Sequence, residues 1–265
     1  MTHRFSRALL AVLLVILLAL PSARRGHAQG EPSYYALLIG QSYAESDGIP
    51  YMPGSLNDVS GMTELLCAMD ATPYAVTARE DLTAEGMLDA FQEAFGAATD
   101  QDICLFYYAG HGFDSSDAAL RGALVGVDGG LWPLPALCEA LSALNCRCLA
   151  LLDSCYAGNI VICLAGMEEA DIHILCAAGP DDSADSITEY KTGRSYGVFT
   201  HFLINGSAFD DKNHIIPADR DRDLAISVME MYYYIKTSVD GSSTAINPVV
   251  YPENSAQLLW GRNKP

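Results

Sequence analysis

Apolar residues along this chain fall into short unbroken runs, separated by stretches with helical spacing. Tyr34–Ile39 is apolar throughout and stops at Gly40, the pattern of a strand buried on both faces. Ser55–Met69 places Leu56, Val59, Met62, Leu65, Leu66 and Met69 on one helical stripe. Tyr74–Ala78 reads as a short strand. Thr83 can cap the next helix, whose stripe is Met87, Leu88, Phe91, Phe95 and Ala98. Ile103–Tyr108 is a strand again. Residues 113–133 predict a small hairpin turning at Gly129-Gly130, and Pro135 opens a helix to Leu144. Cys148–Leu152 and Ile172–Ala177 are two further buried strands. A polar loop, 179–195, leads to a helix after Gly197. Asp223–Thr237 is expected to form the last helix, and Val249–Tyr251 an edge strand.

Strands alternating with helices imply an α/β fold, a mostly parallel sheet covered on both faces. Ligands of such sheets gather at the carboxyl ends of the strands. Two apolar runs stop there at a reactive side chain beside glycine: "ICLFYYAGHG" at His111 and "LALLDSCYAG" at Cys155.

The first 28 residues change the picture of the whole. Arg4 and Arg7 precede a 13-residue apolar run, Ala8 to Leu20, and Gly26-His27-Ala28 supplies small residues for cleavage. That is the layout of a secretory signal peptide, too short to span a bilayer comfortably, with an uncleaved signal anchor as the alternative. The expectation is an exported protein, secreted or in the cell envelope, with residues 29–265 as a single domain and no membrane span after cleavage. None of the 33 acidic residues lies in the leader, but four of the 15 basic ones do, so the mature charge is 11 − 33 = −22. Such a body repels nucleic acid and anionic membranes and attracts basic ligands. The same acidity also keeps an exported protein soluble.

Export permits disulfides. The eight cysteines mostly fall inside apolar segments, where a free thiol acts as a small hydrophobe, so few disulfides are expected. Cys146-Arg147-Cys148 has no second pair at metal spacing, which argues against zinc. A cysteine becomes nucleophilic when a histidine within reach favours its thiolate. Glycine beside each group lets a substrate backbone approach, and the N–H groups of Gly112 and Cys155 can meet a developing oxyanion. A lone buried cysteine is usually core and a lone histidine usually structural, so the pair needs its flanks.

Those flanks, "YYAGHG" and "LLDSCYAG", resemble the two catalytic signatures of the caspase-like cysteine peptidases, closest to the metacaspase branch. "YALLIG", "SLNDVSGMTELL", "YGVFTHFLIN" and "NPVVYPENSAQLLWG" are similar to other segments of that family, in order, over about residues 34 to 260. The resemblance implies a caspase-like three-layer sandwich, with Cys155 as nucleophile and His111 as general acid/base of a cysteine endopeptidase acting on peptides or proteins. The arginine that classical caspases carry ahead of the first helix has no counterpart in Tyr51-Met52-Pro53-Gly54. Asp58 and Asp153 match the metacaspase positions that line a pocket for arginine or lysine. A carboxylate pair suits a guanidinium physically. Ser55-x-x-Asp58 also reads as a capping box, in which the acid serves the helix start. With a basic-specific pocket, Lys191 and Arg194 in the polar loop become self-cleavage candidates.

Asp219, Asp221, Asp223 and Glu230 stand at positions 1, 3, 5 and 12 of a calcium-type loop like that of bacterial relatives, with Ile226 at the apolar position 8. Leu224 occupies the sharp-turn position that favours glycine, and Arg220 and Arg222 add positive charge, so the balance favours a capped, solvated helix start without metal. No cofactor is required, with calcium as the one candidate ion. The rival to the peptidase is a catalytically idle caspase-like binding or scaffold module. The intact His111 and Cys155 argue against it.

Overall fold

The structure, a computed structural model, describes residues 31–165, 167, 170–189, 192–213, 215–240 and 246–263. The leader expected over 1–28 and Lys191 lie outside the described residues. In chain order the elements are β1 (Tyr34–Gly40), α1 (Gly54–Cys67), β2 (Tyr74–Glu80), α2 (Ala84–Phe95), β3 (Ile103–Ala109), β4 (Leu124–Val125) and β5 (Leu131–Trp132). They continue with α3 (Leu134–Ala143), β6 (Arg147–Asp153), α4 (Asn159–Leu164), β7 (Ile172–Cys176), β8 (Ser186–Thr188), β9 (Ser195–Gly197) and α5 (Val198–Ser207). The chain closes with β10 (Ala225–Ser227), α6 (Val228–Asp240), β11 (Val249–Tyr251) and β12 (Leu258–Gly261).

Among the described residues the main sheet runs β11-β7-β6-β3-β1-β2. Its neighbours pair parallel except β11, which lies antiparallel on β7 as an edge strand. Each face has its own core. Along β3, Leu105, Tyr107 and Ala109 turn toward α1, α5 and α6, while Cys104, Phe106 and Tyr108 turn toward α2, α3 and α4. Burial on both faces is why these strands read as continuous apolar runs rather than alternating ones. The result is the expected three-layer, mostly parallel α/β sandwich.

Local signals mostly held. Thr83 caps α2 by accepting from Gly86 N at 3.0 Å, and β4 and β5 form the expected hairpin, with Gly129 at φ 75° in its turn. Leu88, assigned to the buried stripe of α2, is exposed. Three further expectations are corrected. The last helix starts at Val228 rather than Asp223, because Ala225–Ser227 are taken up as a strand pairing antiparallel with β12. Ser227 and Glu230 then form a reciprocal cap: Ser227 N donates to Glu230 Oε2 at 2.9 Å, and Glu230 N donates to Ser227 Oγ at 3.3 Å. The capping box proposed for Ser55 and Asp58 does not form. Helix α1 begins one residue earlier, at Gly54, and Ser55 Oγ has no partner. The third correction concerns Leu224, which does adopt the left-handed conformation, at φ 72°.

Candidate active site

The strand register decides where the chemistry collects. Gly40 pairs with Ala109, and Ala109 with Asp153, so β1, β3 and β6 end level. Gly110 N donates to Asp153 O at 3.2 Å and carries this alignment one residue beyond the sheet. His111 and Cys155 therefore leave neighbouring strands at the same edge. Their approach is backbone against backbone: a Cβ added at Gly112 would overlap the Cys155 carbonyl oxygen and stand 3.2 Å from Cys155 N. Only glycine fits there. Among the described residues, neither Gly112 N nor Cys155 N donates to a protein acceptor. Two N–H groups that are unpaired among the described residues thus lie on backbones in close contact.

Each side chain is oriented by groups the sequence did not flag. His111 Nε2 lies 2.8 Å from Pro50 O. A carbonyl only accepts, so Nε2 carries the hydrogen and Nδ1 is the free basic nitrogen of the neutral ring. Tyr43 stacks on that ring, with centroids 4.6 Å apart, and its hydroxyl accepts from His111 N at 2.9 Å. Cys155 Sγ, half-buried, accepts from Ala184 N at 3.3 Å. The two side chains share no hydrogen bond among the described residues. Tyr156, next to the cysteine, is held at φ 59° with the Arg121 guanidinium 4.5 Å over its ring.

Beside this pair a cavity of about 130 Å³ opens, lined among others by Met52, Ser55, Asp58, Gly110, Asp153 and Gly197. Asp58 and Asp153 are buried, 2% and 4% exposed. Asp58 accepts from Gly197 N at 3.1 and 3.0 Å through its two oxygens. Asp153 Oδ2 accepts from Thr200 N at 3.1 Å and Thr200 Oγ1 at 2.7 Å. Gly197 is squeezed between them, since a Cβ there would overlap Asp153 Oδ2. Loss of water raises both carboxyls. Asp58 is also pushed up by its neighbour Asp153 and stands well above the usual carboxylate range, and Asp153 is raised to about 6. Ser55 Oγ, on the same wall, is buried without a partner. Two buried carboxyls thus share the wall of one small cavity.

Asp219, Asp221 and Asp223 lie elsewhere, with carboxylate oxygens within 4.8 Å of one another. Asp219 caps the turn, accepting from Arg222 N, Asp223 N and Leu224 N. Glu230 accepts from Arg220 N at 3.0 Å as well as from Ser227. The acids thus occupy the positions of a calcium-type loop while answering its backbone N–H groups.

Pro50, Ala184 and Gly197 act through the backbone, which leaves no residue-type signal in a sequence. Tyr43 sits in a loop where an aromatic is unremarkable.

A mostly parallel sandwich with a cysteine and a histidine at its carboxyl edge defines a class, the caspase-like α/β proteins. A profile of the caspase domain matches residues 33–244, and the chain belongs to that family. It is also 31% identical to Metacaspase-1 of Schizosaccharomyces pombe, over 47% of this chain and 34% of that protein. The chain thus spans about a third of that relative's length. A crystal structure of protein GSU0716 from Geobacter sulfurreducens superimposes with a TM-score of 0.58 at 16% identity, covering 83% of this chain and 93% of that one. Membership makes the chain a homologue of cysteine peptidases of caspase and metacaspase type. No helix among the described residues is long and apolar enough to cross a membrane.

Proposed function

We propose that this protein is an exported cysteine endopeptidase that cleaves after arginine or lysine. One observation carries the reading: two buried carboxyls, Asp58 and Asp153, line a cavity that also borders Gly110, one residue from His111. A guanidinium entering there replaces the missing solvent of both acids at once, which an aspartate side chain would worsen. Ser55 Oγ offers it a further acceptor.

In the reaction, Nδ1 of His111 takes the Cys155 thiol proton and the thiolate attacks the scissile carbonyl. Gly112 N–H and Cys155 N–H bind the oxyanion. His111 then returns the proton to the leaving amine, and water releases the acyl group by the same steps reversed. Pro50 O fixes the ring throughout. Export rests on the leader at residues 1–28.

The test is a set of matched fluorogenic peptides with Arg, Lys or Asp before the leaving group, run with and without calcium beside Cys155→Ala. Cleavage of the basic peptides by the native protein alone supports the reading. Equal release by Cys155→Ala, or none by either, leaves an idle module. Preference for Asp rejects the acidic cavity as the specificity site. Export is checked by amino-terminal sequencing of the protein from the producing cell, with a start near Gln29 expected.

A further inference from the structure

At the opposite end of the sheet, where β3 and β6 begin, three thiols meet. Cys104 and Cys148 are register partners on the two strands, and Cys146 precedes β6. Cys146 Sγ lies 3.4 Å from Cys104 Sγ and 3.9 Å from Cys148 Sγ. All three are free cysteines. Cys104 and Cys148 are 1% and 0% exposed, whereas Cys146, at 7%, forms part of the wall of an open cavity of about 720 Å³. Asp100, Asp102, Asn145, Arg147 and Asp171 line the same cavity, with Arg147 paired to Asp171 at 2.8 Å, so a polar molecule of peptide size can stand beside Cys146.

We propose that Cys104 and Cys146 form a dithiol site that closes to a reversible disulfide, with Cys146 as the thiol that meets a low-molecular-weight disulfide in the cavity. The thiolate of Cys146 attacks one sulfur of the reagent RSSR. The reagent's S–S bond breaks, a mixed disulfide forms, and RS⁻ leaves and takes up a proton. Cys104 then attacks the Cys146 sulfur, the mixed disulfide breaks, and a second RS⁻ leaves. In sum, two protein thiols and RSSR become one protein disulfide and two RSH; the protein gives up two electrons and the reagent accepts them. Bonded sulfurs stand about 2.0 Å apart, so closure brings this pair together by about 1.4 Å (3.4 − 2.0), within reach of side-chain rotation. Cys148 is the poorer partner for Cys146. Their sulfurs stand 3.9 Å apart, against 3.4 Å between Cys146 and Cys104.

The comparators are built in. Cys67 is exposed, and Cys138 and Cys163 share a second thiol contact across α3 and α4. The site does not depend on peptidase activity, and neither does its test. The reduced full chain is titrated with oxidised glutathione, quenched with acid, alkylated, digested and mapped. The expected product is a Cys104–Cys146 crosslink, with Cys104→Ser instead trapping glutathione on Cys146. The native protein should also melt higher on oxidation, by on the order of 5–10 °C, reversed by dithiothreitol and absent in Cys104→Ser. Recovery of both cysteines alkylated while Cys67 is glutathionylated overturns the proposal. So does a crosslink of Cys146 to any other cysteine. If Cys104→Ser fails to fold, the crosslink map and melting shift of the native protein decide alone.

Discussion

A carboxyl removed from water resists ionising unless donors or a cation meet it, and among the described residues Asp153 meets only the N–H and hydroxyl of Thr200. With its pKa raised to about 6, it is half protonated in mildly acidic solution. A basic side chain binds the ionised form, so kcat/KM for arginine peptides is expected to fall as pH drops through about 6, by on the order of tenfold per unit below it. A flat profile between pH 7.5 and 5 would count against the pair. The same raised values act on stability with the opposite slope. The unfolded chain ionises these acids near the ordinary value of 3.8 while the fold keeps them protonated, so stability is lost as pH rises from about 4 to above 6. Asp58→Asn keeps an acceptor for Gly197 N–H and removes the repulsion. It should raise stability at pH 7 by about 1 kcal/mol while lowering arginine-peptide kcat/KM at least about 100-fold. Urea denaturation at pH 5 and 7.5, beside the kinetics, reads both effects.

At the scale of elements, the site is a matter of strand ends and what packs across them. The stretch through β9 into α5 brings Gly197 against both carboxyls, so Gly197→Ala forces a methyl into the Asp153 carboxylate. A cost of about 2 kcal/mol is expected by denaturant unfolding, with a rise in KM for basic peptides larger than the fall in kcat. The acidic turn before β10 shows where element reading failed. Helical spacing runs backward from Thr237 through Asp223, yet Ala225–Ser227 join β12, a partner more than thirty residues away. No local period reports such a partner. Leu224 failed for a related reason. Its intrinsic dislike of positive φ is worth about 1–2 kcal/mol, and three backbone bonds to Asp219 around it outweigh that. Calcium addition to the purified protein, followed by melting temperature, tests this turn directly. A rise of several degrees that Asp219→Asn abolishes would make it a cation loop, and no rise would leave it a capped turn.

For the molecule as a whole, charge is the long-range variable. Residues 29–265 carry a formal charge of −22, which draws cationic peptides toward any face, and salt weakens that attraction. Raising ionic strength from about 0.02 to about 0.2 M should therefore lower kcat/KM for arginine peptides by on the order of tenfold, mostly through the association step. The pattern of apolar runs by itself determined the layered α/β fold, since a strand covered on both faces must be apolar on both and each amphipathic helix must cover one. It also set His111 and Cys155 at strand ends, and family likeness named their roles. Only the tertiary structure decided that Pro50 O holds His111 Nε2, that Gly112 and Cys155 present unpaired N–H groups together, and that Asp58 serves Gly197 rather than its own helix. Those are contacts through backbone atoms, or between residues up to 139 positions apart. A backbone atom is the same in every residue, and chain separation has no period, so neither leaves a mark that a sequence can show.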